Sequence, residues 1–368
     1  MLYFTRWKTF GIALIALIVV FVGLAFFWAQ QRIAPSLEAQ GGTYLVLEVD
    51  SNYLKKQKLI QIRDDTRRVL REARIGFIGL SVKDDAVEVR VRDTALLPTA
   101  LAKLRDLPVG LDSKGQHNLE VADAGEGLIR LSGLQAVVAE QLPLVVEQSI
   151  GIIEKRVEGV GTAAPIIQRQ GANRILVQLP GLWDPTRLNS LCVYRGRLEF
   201  RMVDTSVSPD QAKQGELPRD AELLESAFPP NIPYVVKKQV LVDGSDLIDA
   251  RPGFDQRSNE PVINFKFNFL GARKFAQATT ENVGFPFAIV LDNKVISTPR
   301  INEPITGGQG QISGNFTVES AKDLAILLRA GALPAPLIVV EERTVGPGHG
   351  QGSIESDGKR AKGEAIRQ

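Results

Sequence analysis

The sequence has one cysteine, Cys192, and two histidines, His117 and His349, across 368 residues. A single thiol forms no internal disulfide, and one thiol with two distant imidazoles makes no zinc site. The same shortage leaves the serines without a histidine placed to activate them, so no enzyme and no cofactor is expected. Charge of one sign is missing too: 44 Lys plus Arg face 42 Asp plus Glu. That balance generates no field to draw in nucleic acid, which argues against a nucleic-acid partner. What is present, 44% hydrophobic and 23% charged residues, is the composition of a globular protein with two or three cores.

Only one long apolar run stands out. FGIALIALIVVFVGLAFFWA, Phe10 to Ala29, holds 20 uncharged residues, enough for a helix to cross the roughly 30 Å hydrocarbon core of a bilayer. The following FWAQQR offers no small-x-small cleavage site, so the run reads as an anchor rather than a signal peptide. Arg6 and Lys8 precede it and only Arg32 follows closely, which favours a single-pass protein with its N-terminus in the cytoplasm and its bulk outside. Trp7 and Trp28 mark the two interfaces. No second run approaches 18 residues, and everything after Gln31 is expected to form one soluble body.

That body reads as α+β. Residues 32–42 form a linker, and TYLVLEVD opens a base spanning residues 43–204. Ser51 is placed to cap a helix carrying Leu59, Ile62, Val69 and Leu70 on one face. FIGLSV and AVEVRVR read as strands around Asp84 and Asp85, a second helix spans Thr94 to Leu107, and strands lie within Leu119 to Leu131. This is the ferredoxin-like βαββαβ order. A second such half follows, with Pro143 in the first turn of a helix, a hairpin across Gly171 and Ala172, a helix begun by Asp184, and the strand LEFRMVD. The two halves are expected to share one base sheet. Residues 205–233 read as a connector, 234–336 as an inserted head, 337–347 as a return strand and 348–368 as a charged tail.

Within the head, EPITGGQGQISGNFTVESAKDLAILLRAGALPAP runs from a glycine-rich loop into a helix. It lacks the Gly-x-x-x-x-Gly-Lys-Ser/Thr spacing of a phosphate loop, and Gly308, Gly310 and Gly314 miss the dinucleotide spacing. Thr317 is placed to cap the helix, Leu324, Ala325, Leu327 and Leu328 to pack inward, and Gly331 to end it. Glu154, Lys155, Arg156 and Glu158 read as neighbours on a solvated helix face, and Asp243, Asp246, Asp249 and Asp255 as surface carboxylates without EF-hand spacing.

The stretches GGTYLVLEVD, IIQRQGANRILVQLPGLWDP, LEFRMVD, FAIVLDNKVIS, the glycine loop with its helix, and EERTVGP resemble the SecD family, the membrane subunits that assist the Sec protein-export channel. The resemblance runs from about Gly41 to Pro347 and implies a first membrane span followed by a periplasmic base and mobile head. It further implies capture and release of unfolded preprotein, with SecF, the SecYEG channel and the lipid bilayer as partners. Proton coupling in that family lies in later membrane helices, which the charged tail does not resemble, so the chain reads as truncated. Gly307, Gly308, Gln309, Gly310, Gln311 and Gly314 form the candidate preprotein-facing or hinge loop, in the groove between head and base. The alternatives are a truncated SecD relic without a partner-dependent role, or an anchored periplasmic binding or sensor domain.

Overall fold

The structure, a computed structural model, describes residues 42–108, 119–161, 165–181 and 184–345. The apolar run Phe10–Ala29, nearly all of the linker and the charged tail lie outside the described residues.

The base is a four-stranded sheet whose members are scattered along the chain. Strands β1 (Gly42–Val49), β6 (Ile166–Gln170), β7 (Arg174–Pro180) and β16 (Leu337–Val345) stand in the order β16-β1-β7-β6, every neighbour antiparallel. Helices α3 (Leu134–Val160) and α4 (Pro185–Val193) cover one face, where Leu45, Leu47, Ile175 and Val177 meet Val146, Ile153, Val157 and Cys192.

The expected single shared sheet is not observed. Strands β2 (Phe77–Lys83), β3 (Ala86–Val91), β4 (Glu120–Asp123) and β5 (Leu128–Ser132) form a separate antiparallel sheet, β2-β3-β5-β4. Helices α1 (Ser51–Glu72) and α2 (Leu97–Arg105) contribute Leu59, Ile62, Leu70, Ala100 and Leu104 to its core. So β1 abandons the unit it begins. Its Leu45, Val46 and Leu47 are all buried, and such a strand needs a neighbour on each side; both come from far downstream.

Two helix starts also differ from expectation. Asp50, not Ser51, caps α1, its carboxylate accepting from the Tyr53 amide at 3.0 Å. Helix α3 starts nine residues before Pro143, because Leu134, Val137 and Val138 find buried seats that outweigh the one backbone donor a proline lacks. Among the described residues α3 is the helix long and apolar enough to cross a bilayer, contrary to the expectation of no second such run. Its stripe of Val145, Val146, Ile150, Ile153 and Val157 is buried against the base sheet, the pattern of a core helix.

The head begins earlier than its sequence suggests. LEFRMVD supplies β8 (Leu198–Val203), which closes a barrel with β9 (Ala221–Ser226), β10 (Pro233–Asp243), β13 (Phe287–Leu291) and β14 (Lys294–Ser297) in the order β10-β8-β13-β14-β9. The expected connector therefore contains a barrel strand. A three-stranded sheet, β11 (Leu247–Phe254), β12 (Pro261–Phe267) and β15 (Gln309–Ile312), adjoins it in the order β11-β12-β15, with helices α5 (Phe269–Glu281) and α6 (Val318–Ala330). The reason β8 joins the head is Phe200. Its ring lies 5.2–6.1 Å from those of Phe265, Phe267, Phe275 and Phe287, at the centre of an aromatic cluster each of whose other members is a head residue.

Base and head thus have separate cores. Phe200→Ala should destabilise the head by about 3–5 kcal/mol while Cys192, in the base core, stays unreactive to maleimide at neutral pH. Labelling of Cys192 in parallel with the loss of aromatic circular dichroism would show instead that the two cores melt as one.

Candidate functional site

The chain passes between base and head twice, at Tyr194–Arg197 from α4 into β8 and at Gly331–Pro336 from α6 into β16. Both crossings converge on one side chain, Arg156, which is 0% exposed. The solvated-face reading of Glu154, Lys155, Arg156 and Glu158 holds for three of them, which are exposed, and fails for Arg156. Its place was readable: three residues after Ile153 and four before Val160, it lies on the apolar stripe of α3.

The guanidinium donates through Nη1 to the carbonyls of Leu191 at 2.8 Å and Tyr194 at 2.6 Å, and through Nη2 to those of Arg195 at 2.9 Å and Gly331 at 3.0 Å. Three of these carbonyls lie in the last turn of α4 and the chain leaving it, and the fourth closes α6. A helix C-terminus presents unsatisfied carbonyls and the negative end of its dipole. Two such ends meeting at Arg156 supply what no carboxylate does: none among the described residues hydrogen-bonds the group. Burial lowers its pKa to about 10, with Cys192 and Asp292 opposing the shift, so it stays charged at neutral pH. Burial pushes the neighbouring Cys192 thiol up to about 12, leaving it neutral and inert.

Glycines make room for this arrangement. A Cβ on Gly196 would sit 2.9 Å from Arg156 Nη2, and its φ of 77° is left-handed. The crossings also hold each other: the Leu333 amide donates to the Arg195 carbonyl at 2.8 Å, and Arg195 Nε donates to the Leu333 carbonyl at 3.0 Å. Arg195 covers the ring of Tyr53, 4.8 Å from its centroid, and donates to the Tyr53 hydroxyl. From the head, the Asp292 carboxylate accepts from the amides of Gly196 at 2.9 Å and Arg197 at 2.8 Å. Asp292 and Asn293 form the expected β13–β14 turn, with φ of 48° and 65°. Beside the crossings, Arg187 of α4 pairs with Asp323 at 2.8 Å and Glu319 at 3.2 Å on α6, and the Asp323 hydrogen bond raises the Arg187 pKa. An open groove of ≈ 380 Å³ runs along Arg195, Leu198, Val240, Leu333 and Pro334.

The glycine loop lies elsewhere. It precedes α6, whereas the two crossings meet at the C-terminal end of that helix, and a helix of 13 residues separates its ends by about 20 Å. Gln309 to Ile312 form strand β15 on β12, and the glycines serve packing. A Cβ on Gly308 would meet Ala272 Cβ at 2.5 Å, one on Gly310 the Phe265 ring at 2.7 Å, and one on Gly314 Phe316 and Phe228 at 3.2 and 3.3 Å. Gly307, Gln309 and Gln311 are exposed; Gly308 is buried. Thr317 caps α6 as expected, reciprocally with Ser320, and Gly331 ends it with a φ of 91°. Among the four aspartates read as surface groups, Asp246 is buried and pairs with Lys274 at 2.9 Å.

The chain matches the family model of the SecDF P1 head subdomain over residues 221–335 and that of the N-terminal P1 domain of protein translocase subunit SecDF over residues 146–205. The protein translocase subunit SecD of Rickettsia bellii is 38% identical over 364 residues, covering 97% of this chain and 68% of the relative. That of Acetobacter pasteurianus is 39% identical over 332 residues, covering 89% of this chain and 62% of the relative. Two solved structures are also similar. A membrane component SecDF that enhances protein export is 36% identical over 55% of this chain and 94% of its own, with a TM-score of 0.44. SecDF in a super-membrane-facing form is 27% identical over 95% of this chain and 37% of its own, with a TM-score of 0.49.

Removing the guanidinium strands buried carbonyls from both crossings. Arg156→Met should destabilise the protein by about 3–5 kcal/mol and broaden the distance distribution between spin labels at Gln168 in the base and Lys266 in the head. Arg156→Lys keeps the charge but has three donors for four acceptors, so it should fall between. An unchanged distance distribution in Arg156→Met, with the protein folded, would show that the other contacts fix the head unaided.

Proposed function

The chain belongs to the SecD family of protein translocase subunits, non-catalytic accessory components of protein export, and from this premise we propose that its head captures and releases emerging preprotein outside the membrane. The observation that carries the reading is the junction: a folded head joined to its base by two crossings that one cation grips together. A joint of this kind has discrete arrangements, because hydrogen bonds to four carbonyls are made or broken rather than stretched, and hinges need few residues. Helix α6 is then a lever. A turn of about 30° at Gly331 moves its far end by about 10 Å.

At that far end stand Gly307, Gly308, Gln309, Gly310, Gln311 and Gly314, the segment assigned here to face the client. Gln309 and Gln311 present exposed side chains, while Gly308 acts through its fold against Ala272. In this reading Phe10–Ala29 anchors the protein in the inner membrane, with the N-terminus cytoplasmic and the base and head periplasmic. The span contains no ionisable residue, and a proton path through lipid needs groups that exchange protons. Coupling to the proton gradient is therefore assigned to membrane helices outside these residues, acting with SecF and the SecYEG channel.

A photo-crosslinker at Gln309 or Gln311 should capture an arrested preprotein more often than one at the exposed Glu154 or Lys155. Equal capture at the two places, or none at the loop, would remove the loop from client binding. Protease added to spheroplasts should degrade the chain beyond Arg32; protection of that region would overturn the topology.

A further inference from the structure

The described open sheets have six edge strands, and five carry a device against pairing with a further chain. A charged residue or proline stands in each: Glu341 in β16, Arg169 in β6, Lys83 in β2, Asp123 in β4 and Pro252 in β11. Natural sheets protect their edges in this way. The sixth, β15, reads QGQI and carries neither.

Its backbone direction follows from the ladder. The Phe267 amide donates to the Gly308 carbonyl at 2.8 Å, and the antiparallel register continues with Gly310 opposite Phe265 and Ile312 opposite Ile263. Along such a ladder a residue's N–H and C=O point to the same side, and successive residues alternate. Gly308, Gly310 and Ile312 face β12, so the N–H and C=O groups of Gln309 and Gln311 point away from it, where no described strand stands. Beside this edge is an exposed apolar side chain. Helix α5 touches Gly308 through Ala272, and Phe269, one turn earlier on the same helix face, is 75% exposed.

We infer that β15 receives an extended, uncharged segment of unfolded polypeptide as a fourth strand of the β11-β12-β15 sheet, bonded to the backbone of Gln309 and Gln311, with an apolar side chain against Phe269. The inference rests on the reading that this loop faces the client, and adds how the client is held. Strand addition draws its affinity from main-chain groups that every polypeptide has, and alternate side chains add only what nearby pockets accept. That chemistry suits clients that share no sequence. A second copy of this chain is a less fitting occupant, since edge-to-edge pairing over four residues buries far less than the roughly 1,200 Å² of a stable interface.

The test uses the full chain in detergent with a crosslinker at Gln309, and two probes: a synthetic unfolded peptide of alternating Thr and Val, and the same peptide N-methylated at alternate residues. The unmodified peptide should be captured, and the N-methylated one about tenfold less often. Gln311→Pro, which removes an outward N–H that β12 does not use, should lose capture, while Gln311→Ala keeps it and Phe269→Ser weakens it. Equal capture of the two peptides would overturn strand addition and leave the client-facing loop standing. Capture of neither would remove both. Crosslinks between two copies without peptide would assign the edge to self-association. The N-methylated arm needs no backbone variant, so misfolding of Gln311→Pro does not decide the outcome.

Discussion

The structure turns on a guanidinium that has left water without meeting a carboxylate. Burying a charge is costly unless its donors are satisfied and some opposite potential is near. Arg156 meets the second through main chain alone, with four carbonyls at 2.6–3.0 Å from the ends of α4 and α6, and the first at its two terminal nitrogens, while its buried Nε has no partner among the described residues. The planar fork matters, because it reaches two carbonyls with each terminal nitrogen, a geometry that a compact ammonium does not reproduce. Those ends belong to different bodies, one helix in the base and one in the head. A single residue on α3 therefore decides where the crossings lie, and Gly196 is held to glycine by its presence.

Helix α6 carries that decision into the head. Ala321, Leu324, Ala325 and Leu328 pack into the head core, while Ile326 and Leu327 turn to Leu191 and Val160 of the base. A helix buried on opposite faces cannot rotate about its axis without disturbing both cores. It can pivot about its end. On the base side Gly159 brings α3 close, since a Cβ there would come within 2.9 Å of Ile326. The contact is a smooth patch of small and aliphatic groups, flanked by the half-buried Arg187–Asp323 pair and by the exposed Glu319, whose pairing with Arg187 salt screens and which contributes little.

Much of the local structure was legible in the sequence because its causes are local. The β6–β7 hairpin, the Asp184 cap, the turn at Asp292 and Asn293, and the Thr317 and Gly331 ends of α6 follow from side chains and dihedrals within a few residues. The motifs that resemble SecD proteins were equally plain. What escaped was pairing over distance. Nothing in GTYLVLEV says that its neighbours lie beyond two inserted bodies, and nothing in LEFRMV says which sheet it joins until Phe200 is seen among the head's rings. Strand β15 escaped because QGQI has little intrinsic preference for extended structure and is held by β12. Arg156 escaped for a different reason. Its charge argued for solvent more loudly than its helical spacing argued for the core.

The pairing of β1 with β16 has a mechanical meaning. Gly42 stands opposite Val345, so the chain enters and leaves the base at neighbouring points on one end of the sheet. Both ends of the described body therefore stand at that single place. Tension that separates the two exits loads the first rung of an antiparallel ladder and then the next, peeling the strands one bond at a time. A pull on both exits in the same direction loads no rung at all and carries base and head along intact. The base therefore transmits common motion of its two ends faithfully, and yields first to a difference between them.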